Sequence, residues 1–149
     1  MIACRIRFFP LALAILLLAS CAHNGTPEVQ NATQEVWDFE LTGDTRGNCK
    51  MLLARTKVQN DLFRIAGSFS GMTYDYVGGP GELDCKFNGK LKNRNLDCEF
   101  TGWGDMEEVV FLNGRFTGTL NDEEGSGEWQ VTHTRGSSAG TWKMKRRSL

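Results

Sequence analysis

Histidine, tyrosine and proline are scarce in this chain of 149 residues, with two, two and three copies. His23 lies close to the N-terminus, which leaves His133 as the one histidine of a folded domain. Nucleophilic catalysis wants a base beside its nucleophile. No catalytic motif surrounds His133, which reads as a strand residue near a rim, so the sequence points away from an enzyme. Metal chemistry is equally thin, with no CxxC pair and no second histidine to complete a zinc set. The acidic runs Asp105, Glu107, Glu108 and Asp122, Glu123, Glu124 lack the ligand spacing of a calcium loop and read as solvated turns. No helix is predicted, so no glycine loop presents phosphate to a helix N-terminus. Neither a metal nor a cofactor is expected. Charge of one sign is missing too: 17 basic residues meet 18 acidic ones, for a net charge of −1. Nucleic acid is therefore not an expected partner.

Long apolar runs are also few. The one that stands out is Phe8–Leu18, behind Arg5 and Arg7. A bilayer span needs about 20 residues, so this run fits the core of an export signal. It ends in Leu18-Ala19-Ser20-Cys21, which resembles the lipobox of bacterial lipoproteins. The resemblance implies cleavage between Ser20 and Cys21, a diacylglycerol thioether on Cys21 and acylation, such as palmitate, of the new amino group. Two or more acyl chains anchor a protein stably. The residue after the cysteine is Ala22 rather than the Asp of inner-membrane lipoproteins. The implied location is the outer membrane, facing the periplasm. Losing Arg5 and Arg7 with the leader takes the net charge from −1 to −3. The expected organisation is a signal peptide over 1–20, a lipidated Cys21 with a flexible tether to residue 35, and one β domain over 36–149. The tether is polar, aperiodic and broken by Gly25 and Pro27.

From Val36 onward, apolar and polar residues alternate between turn signals, the pattern of an all-β sandwich or barrel. Leu83, Cys85, Phe87, Gly89 and Leu91 fall on one face of a strand, and Leu96, Cys98 and Phe100 on one face of the next. A two-residue turn at Asn93-Arg94 pairs Leu91 with Leu96, Gly89 with Cys98 and Phe87 with Phe100. A turn at Asn60-Asp61 likewise pairs Val58 with Phe63, Thr56 with Ile65, Ala54 with Gly67 and Leu52 with Phe69. An acidic turn at Asn121–Gly125 lets Leu120, Gly118 and Phe116 face Gly127, Trp129 and Val131. About eight strands in an up-and-down antiparallel meander result. Closing them into a small water-soluble barrel removes the edges, and a two-sheet sandwich is the alternative.

Inward glycines such as Gly67, Gly89, Gly114, Gly118, Gly127 and Gly140 sit among nine inward aromatics, from Trp37 and Phe39 to Trp142. Glycine beside a large ring fills a narrow interior, so a mostly packed barrel is expected, with a ligand cage as the alternative. The mature domain, with Gly140-Thr141-Trp142-Lys143 near its end, resembles small Gly/Trp-rich β-barrel lipoproteins of bacteria. Alternate turns collect at alternate ends. One end gathers tight turns and the tether; the other gathers the stretches 43–48, 71–81, 104–107 and 134–138, read as longer loops. Binding concentrates in such loops. Ser70, Tyr74, Tyr76, Trp103 and Arg135 are the candidate binding residues at this end, with the tyrosines serving as contact surface or as a plug over the mouth. Cys49, Cys85 and Cys98 remain in the mature chain and allow one disulfide in three pairings. The Asn93-Arg94 register sets Cys85 and Cys98 about 13 Å apart, which disfavours that pair.

Three roles follow. The first is a non-enzymatic envelope binding module whose mouth loops take a protein or cell-wall partner. The second is a carrier of a small apolar ligand, resembling lipocalins or avidin. The third is inhibition of c-type lysozyme. Membrane-bound inhibitors of that class carry an S-G-x-x-Y motif, which Ser70-Gly71-Met72-Thr73-Tyr74 resembles, and the resemblance implies inhibitory roles for Ser70 and Tyr74.

Overall fold

The computed structural model describes residues 32–75, 79–105 and 108–148. The expected signal peptide, Cys21 and nearly all of the tether lie outside the described residues, as do Tyr76, Met106 and Glu107. Eight antiparallel strands follow one another: β1 (Thr33–Gly43), β2 (Thr45–Gln59), β3 (Leu62–Asp75), β4 (Gly79–Lys92), β5 (Asn95–Asp105), β6 (Val109–Leu120), β7 (Glu124–His133) and β8 (Gly136–Arg146). They form a closed barrel in sequence order, and β8 pairs with β1. The meander and barrel expected from the alternation are thus present, and the sandwich is not. Every strand has both neighbours, so a chain starting at Ala22 contains the complete ladder.

The β4–β5 hairpin has the register its alternation predicts, with Leu91 opposite Leu96, Gly89 opposite Cys98 and Phe87 opposite Phe100. Its turn residues Asn93 and Arg94 both have positive φ, 50° and 69°, the mirror-image turn that matches strand twist. The β2–β3 register differs from expectation by one residue. Met51 lies opposite Phe69, Leu53 opposite Gly67 and Arg55 opposite Ile65, and the ladder skips Val58 between Lys57 and Gln59. This bulge reverses the parity of β2. Met51 and Leu53 are buried in the core, while Leu52 and Val58 are exposed. Between β6 and β7 the register is shifted by two residues from expectation, which keeps both inward sets on the same face. The pairs are Leu120 with Gly125, Gly118 with Gly127 and Phe116 with Trp129, because β7 starts at Glu124. β1 begins at Thr33, so Thr33–Glu35 belong to the barrel and not to the tether.

Aromatic rings fill the middle of the lumen. Phe39 and Phe69 have centroids 5.3 Å apart, Phe69 and Phe100 5.4 Å, Phe87 and Phe116 5.4 Å, and Phe116 and Trp142 5.9 Å. Two tryptophans repeat one device. Trp142 lies opposite Gly127, which itself pairs with Gly118, and its Nε1 donates to the carbonyls of Thr117 and Glu128, each at 3.1 Å. Trp129 lies opposite Gly140, which pairs with Gly43, and its Nε1 donates to Thr42 O and Thr141 O, each at 3.1 Å. Each indole thus packs beside a pair of glycines and spends its proton on carbonyls flanking them, so neither buried N–H is left without an acceptor.

The two ends differ. At the base, backbone hydrogen bonds lace the turns together: Asn93 N to Asp61 O at 3.2 Å, Leu120 N to Arg94 O at 2.8 Å, and Arg146 N to Glu123 O at 2.8 Å. Beneath them Glu35, nearly inaccessible, accepts from Trp37 Nε1 at 3.0 Å and pairs with Arg55 at 3.2 Å. Arg55 also reaches Asp122 at 3.1 Å, and its guanidinium lies 5.7 Å from the Trp37 ring. This polar plug seals the base. The mouth carries the other four connections, and they are not long loops. Strand ends leave only one to three residues between partners. The glycines that signalled loops at Gly43, Gly47, Gly71, Gly79, Gly81 and Gly104 are strand positions.

Candidate functional site

Two features gather at the mouth end. The first is inside. β1 supplies Phe39 and Leu41, β3 Phe69, β5 Phe100, β6 Phe116 and β7 Trp129 to a cavity of about 120 Å³ in the upper lumen. The barrel is therefore packed at its middle and base, as expected, and hollow near the mouth. Around the opening stand Thr45, Thr73, Glu108, His133, Arg135 and Ser138. Arg135 and Glu108, from two different mouth turns, pair at 3.5 Å. The backbone N–H of Arg135 donates to His133 Nδ1 at 3.2 Å, so Nδ1 holds a lone pair and Nε2 holds the ring proton. Nε2 lies 3.3 Å from Ser138 Oγ, and its proton is donated there. Thr73, fully buried, spends its hydroxyl proton on Gly81 O at 3.3 Å.

The second feature is outside. Alternation places Met72 and Tyr74 of β3, Trp103 of β5, and Val109 and Phe111 of β6 on the outer wall, all exposed; Phe111 is 75% accessible. Trp103 lies directly opposite Phe111, and Tyr74 opposite Pro80. Between the two groups run Glu82 and Asp84 of β4, with Asp105 of β5 opposite Glu82. The wall is apolar with an acidic stripe.

The predicted binding residues divide between these features. Ser70 and Tyr74 lie in β3 and Trp103 in β5, so they are wall residues and not loop residues. Ser70 and Trp103 both flank Asp84 in one row across the sheet. Arg135 is separate and belongs to the mouth opening. The S-G-x-x-Y string is likewise a stretch of strand: Gly71 pairs with Cys49 and Leu83, while Ser70 and Tyr74 point outward. Phe111 and Val109 were missed. Their signal is Val109-Val110-Phe111-Leu112, an apolar run with no polar partner in a strand that otherwise alternates. Glu108, Ser138, Thr45 and Thr73 carry no local signal; only closure of the barrel brings them together.

None of the three disulfide pairings that the sequence allows is made among the described residues. Cys49, Cys85 and Cys98 are free thiols in the buried lumen. β3 separates Cys49 from Cys85, two strand spacings or about 9–10 Å, against an upper limit near 7 Å between Cα atoms for a bridge. Cys98 pairs with Gly89, four residues along β4 from Cys85. Burial pushes each thiol up to about 12, so none exists as thiolate near neutral pH. Iodoacetamide is expected to leave the native protein unmodified and to add to all three lumen cysteines after denaturation, as read by intact mass. Rapid native labelling would mean that the lumen opens.

Among the described residues, no group of three His, Cys, Asp or Glu side chains is placed to hold a metal ion. The two acidic runs stand at opposite ends of the barrel, Asp105 and Glu108 at the mouth and Asp122–Glu124 at the base. Asp38, Asp97, Glu108 and Asp122 each meet an arginine on the outer surface or at the barrel ends. Arg115 donates to Asp97 at 2.7 Å and holds its carboxyl below the ordinary carboxylate value, and Arg147 does the same to Asp38 at 2.7 Å.

No family model matches the chain, and comparisons with curated proteins and with solved structures give no match.

Proposed function

We propose that this chain is a lipid-anchored, non-enzymatic binding module of the bacterial envelope, held at the outer membrane through Cys21 and facing the periplasm. The observation that carries the reading is the exposed wall of Met72, Tyr74, Trp103, Val109 and Phe111 at the mouth end. Exposed apolar side chains gathered on one wall mark interaction surfaces, and Tyr and Trp are the usual anchors of such contacts. The polarity of the barrel agrees with an anchored module. Thr33 pairs with Arg55 at the base, so the tether joins at the base and the mouth points away from the membrane. The acidic stripe of Glu82, Asp84 and Asp105 favours an envelope protein or cell-wall partner that brings basic groups with its apolar ones.

The test places a photoreactive phenylalanine analogue at Phe111 or at Lys143 on the opposite wall, in cells making the full chain. The expected result is one adduct of defined mass from Phe111, none from Lys143, and loss of the adduct when Tyr74→Ala and Trp103→Ala are added. Equal adducts from both positions, or none from Phe111, would overturn it.

A second reading, a carrier of lipocalin or avidin type, is favoured by the mouth cavity. Eight-stranded barrels are wide enough to hold one small ligand.

A further inference from the structure

We infer that the mouth cavity binds a neutral, single-ring molecule bearing one hydrogen-bond acceptor oxygen, its ring among the lumen aromatics and its oxygen at Ser138. The inference rests on the carrier reading and adds the class of ligand.

Size comes first. The cavity holds about 120 Å³, and an apolar cavity of about 150 Å³ takes up benzene. One ring fits; two fused rings or a long acyl chain do not. The open mouth lets a small substituent project upward. Lining comes second. The lower walls are Phe39, Phe69, Phe100, Phe116 and Trp129, which give water few partners, and buried water needs two to four. An apolar ring loses nothing by replacing it and gains face and edge contacts.

Polarity at the rim settles the head group. The charges there cancel, because Arg135 is paired with Glu108. A carboxylate ligand would compete with Glu108 for Arg135, and an ammonium ligand would meet a carboxylate already engaged. The hydrogen bonds have a direction. Arg135 N–H fixes the His133 tautomer, and His133 Nε2 then donates to Ser138 Oγ. The Ser138 hydroxyl therefore turns its own proton away from His133 and can donate it to a ligand. An alcohol, ether or carbonyl oxygen accepts it. Thr73, its proton committed to Gly81 O, offers only lone pairs and does not compete as a donor.

The test is ¹⁹F NMR titration of the Ala22–Leu149 chain with 4-fluorobenzyl alcohol, fluorobenzene and 4-fluorobenzoate. The expected result is saturable binding of the alcohol in preference to the other two. Ser138→Ala should weaken the alcohol about fivefold, the value of one neutral hydrogen bond, and leave fluorobenzene unchanged. Val110→Phe, which fills the upper lumen, should abolish both, and Leu112→Phe is the second filling variant should that one not fold. If no probe binds, the carrier reading and the inference fall together. If fluorobenzene binds as well as the alcohol and Ser138→Ala changes neither, the cavity is a carrier site but the ligand class is wrong. Preferential binding of the benzoate overturns the class as well.

Discussion

Arg55→Ala is expected to cost the barrel about 3–5 kcal/mol, the usual penalty for removing one partner of a buried ion pair. Glu35 sits in the sealed base with a side chain only 6% exposed, and Arg55 at 3.2 Å is its nearest cation. Arg146 stands 4.0 Å away and is half in solvent, so it compensates poorly. The loss spreads, because Arg55 also holds Asn121 O and Asp122 of the β6–β7 turn and covers the Trp37 ring. Urea denaturation should show the midpoint falling by about a fifth or more of the whole, since single domains hold about 5–15 kcal/mol. The double change Glu35→Gln with Arg55→Met removes both charges at once, keeps an acceptor for Trp37 Nε1 and should recover most of the loss. One arginine atom, Nε, is buried without a partner, and the double change relieves that cost too. A loss below about 1 kcal/mol for Arg55→Ala would mean that the base is wet and Glu35 solvated.

Gly127→Ala should be among the most damaging glycine-to-alanine changes at the described positions. A Cβ at Gly127 meets the Thr117 carbonyl oxygen at less than contact distance and Gly118 Cα at 2.6 Å, all backbone. The neighbouring strand cannot yield without breaking the ladder, and Trp142 lies opposite the same glycine. Overpacking commonly costs about 1–3 kcal/mol, and a clash with backbone belongs at or above the top of that range. Gly104→Ala is the control. Its Cβ meets Leu112 Cδ1 and Val110 Cγ2 at 3.7 Å and Glu82 O at 3.8 Å, all ordinary contacts. There the substitution should be neutral or stabilising by up to about 1 kcal/mol, through the lost freedom of the unfolded chain. Thermal unfolding of the two variants side by side decides. If Gly127→Ala melts with Gly104→Ala, inner-wall glycines are not what lets β6 and β7 approach.

Where both strands of a hairpin alternate cleanly, as Glu82–Leu91 and Leu96–Thr101 do, parity is written in the residues and the register followed. β2 was harder. Met51, Leu53 and Leu52, Val58 offer two apolar phases, and a bulge at Val58 chooses between them. At the mouth, glycine carries the signal that marks turns in most chains. In this barrel glycine is what an inner wall needs where backbones close up, so the apparent loops are strand. Glu35 reads as tether because its ionic partners are Arg55 and Arg146, far away in sequence and invisible to any local pattern. The lumen cavity is a property of closure and of ring directions, and no spacing encodes it.

The tryptophan–glycine latches also bear on when this protein can exist. Trp142 and Gly140 both belong to β8, so each latch waits for the last strand, and β1 finds its second neighbour only then. Pairing ends so far apart in sequence is a slow step. A chain stopped before Gly140 loses more than one strand. It leaves Trp129 without its glycine, Gly127 without its indole and two edges open to other chains. Closure is therefore all-or-none: until β8 docks the sheet keeps two open edges, and when it docks both latches set together.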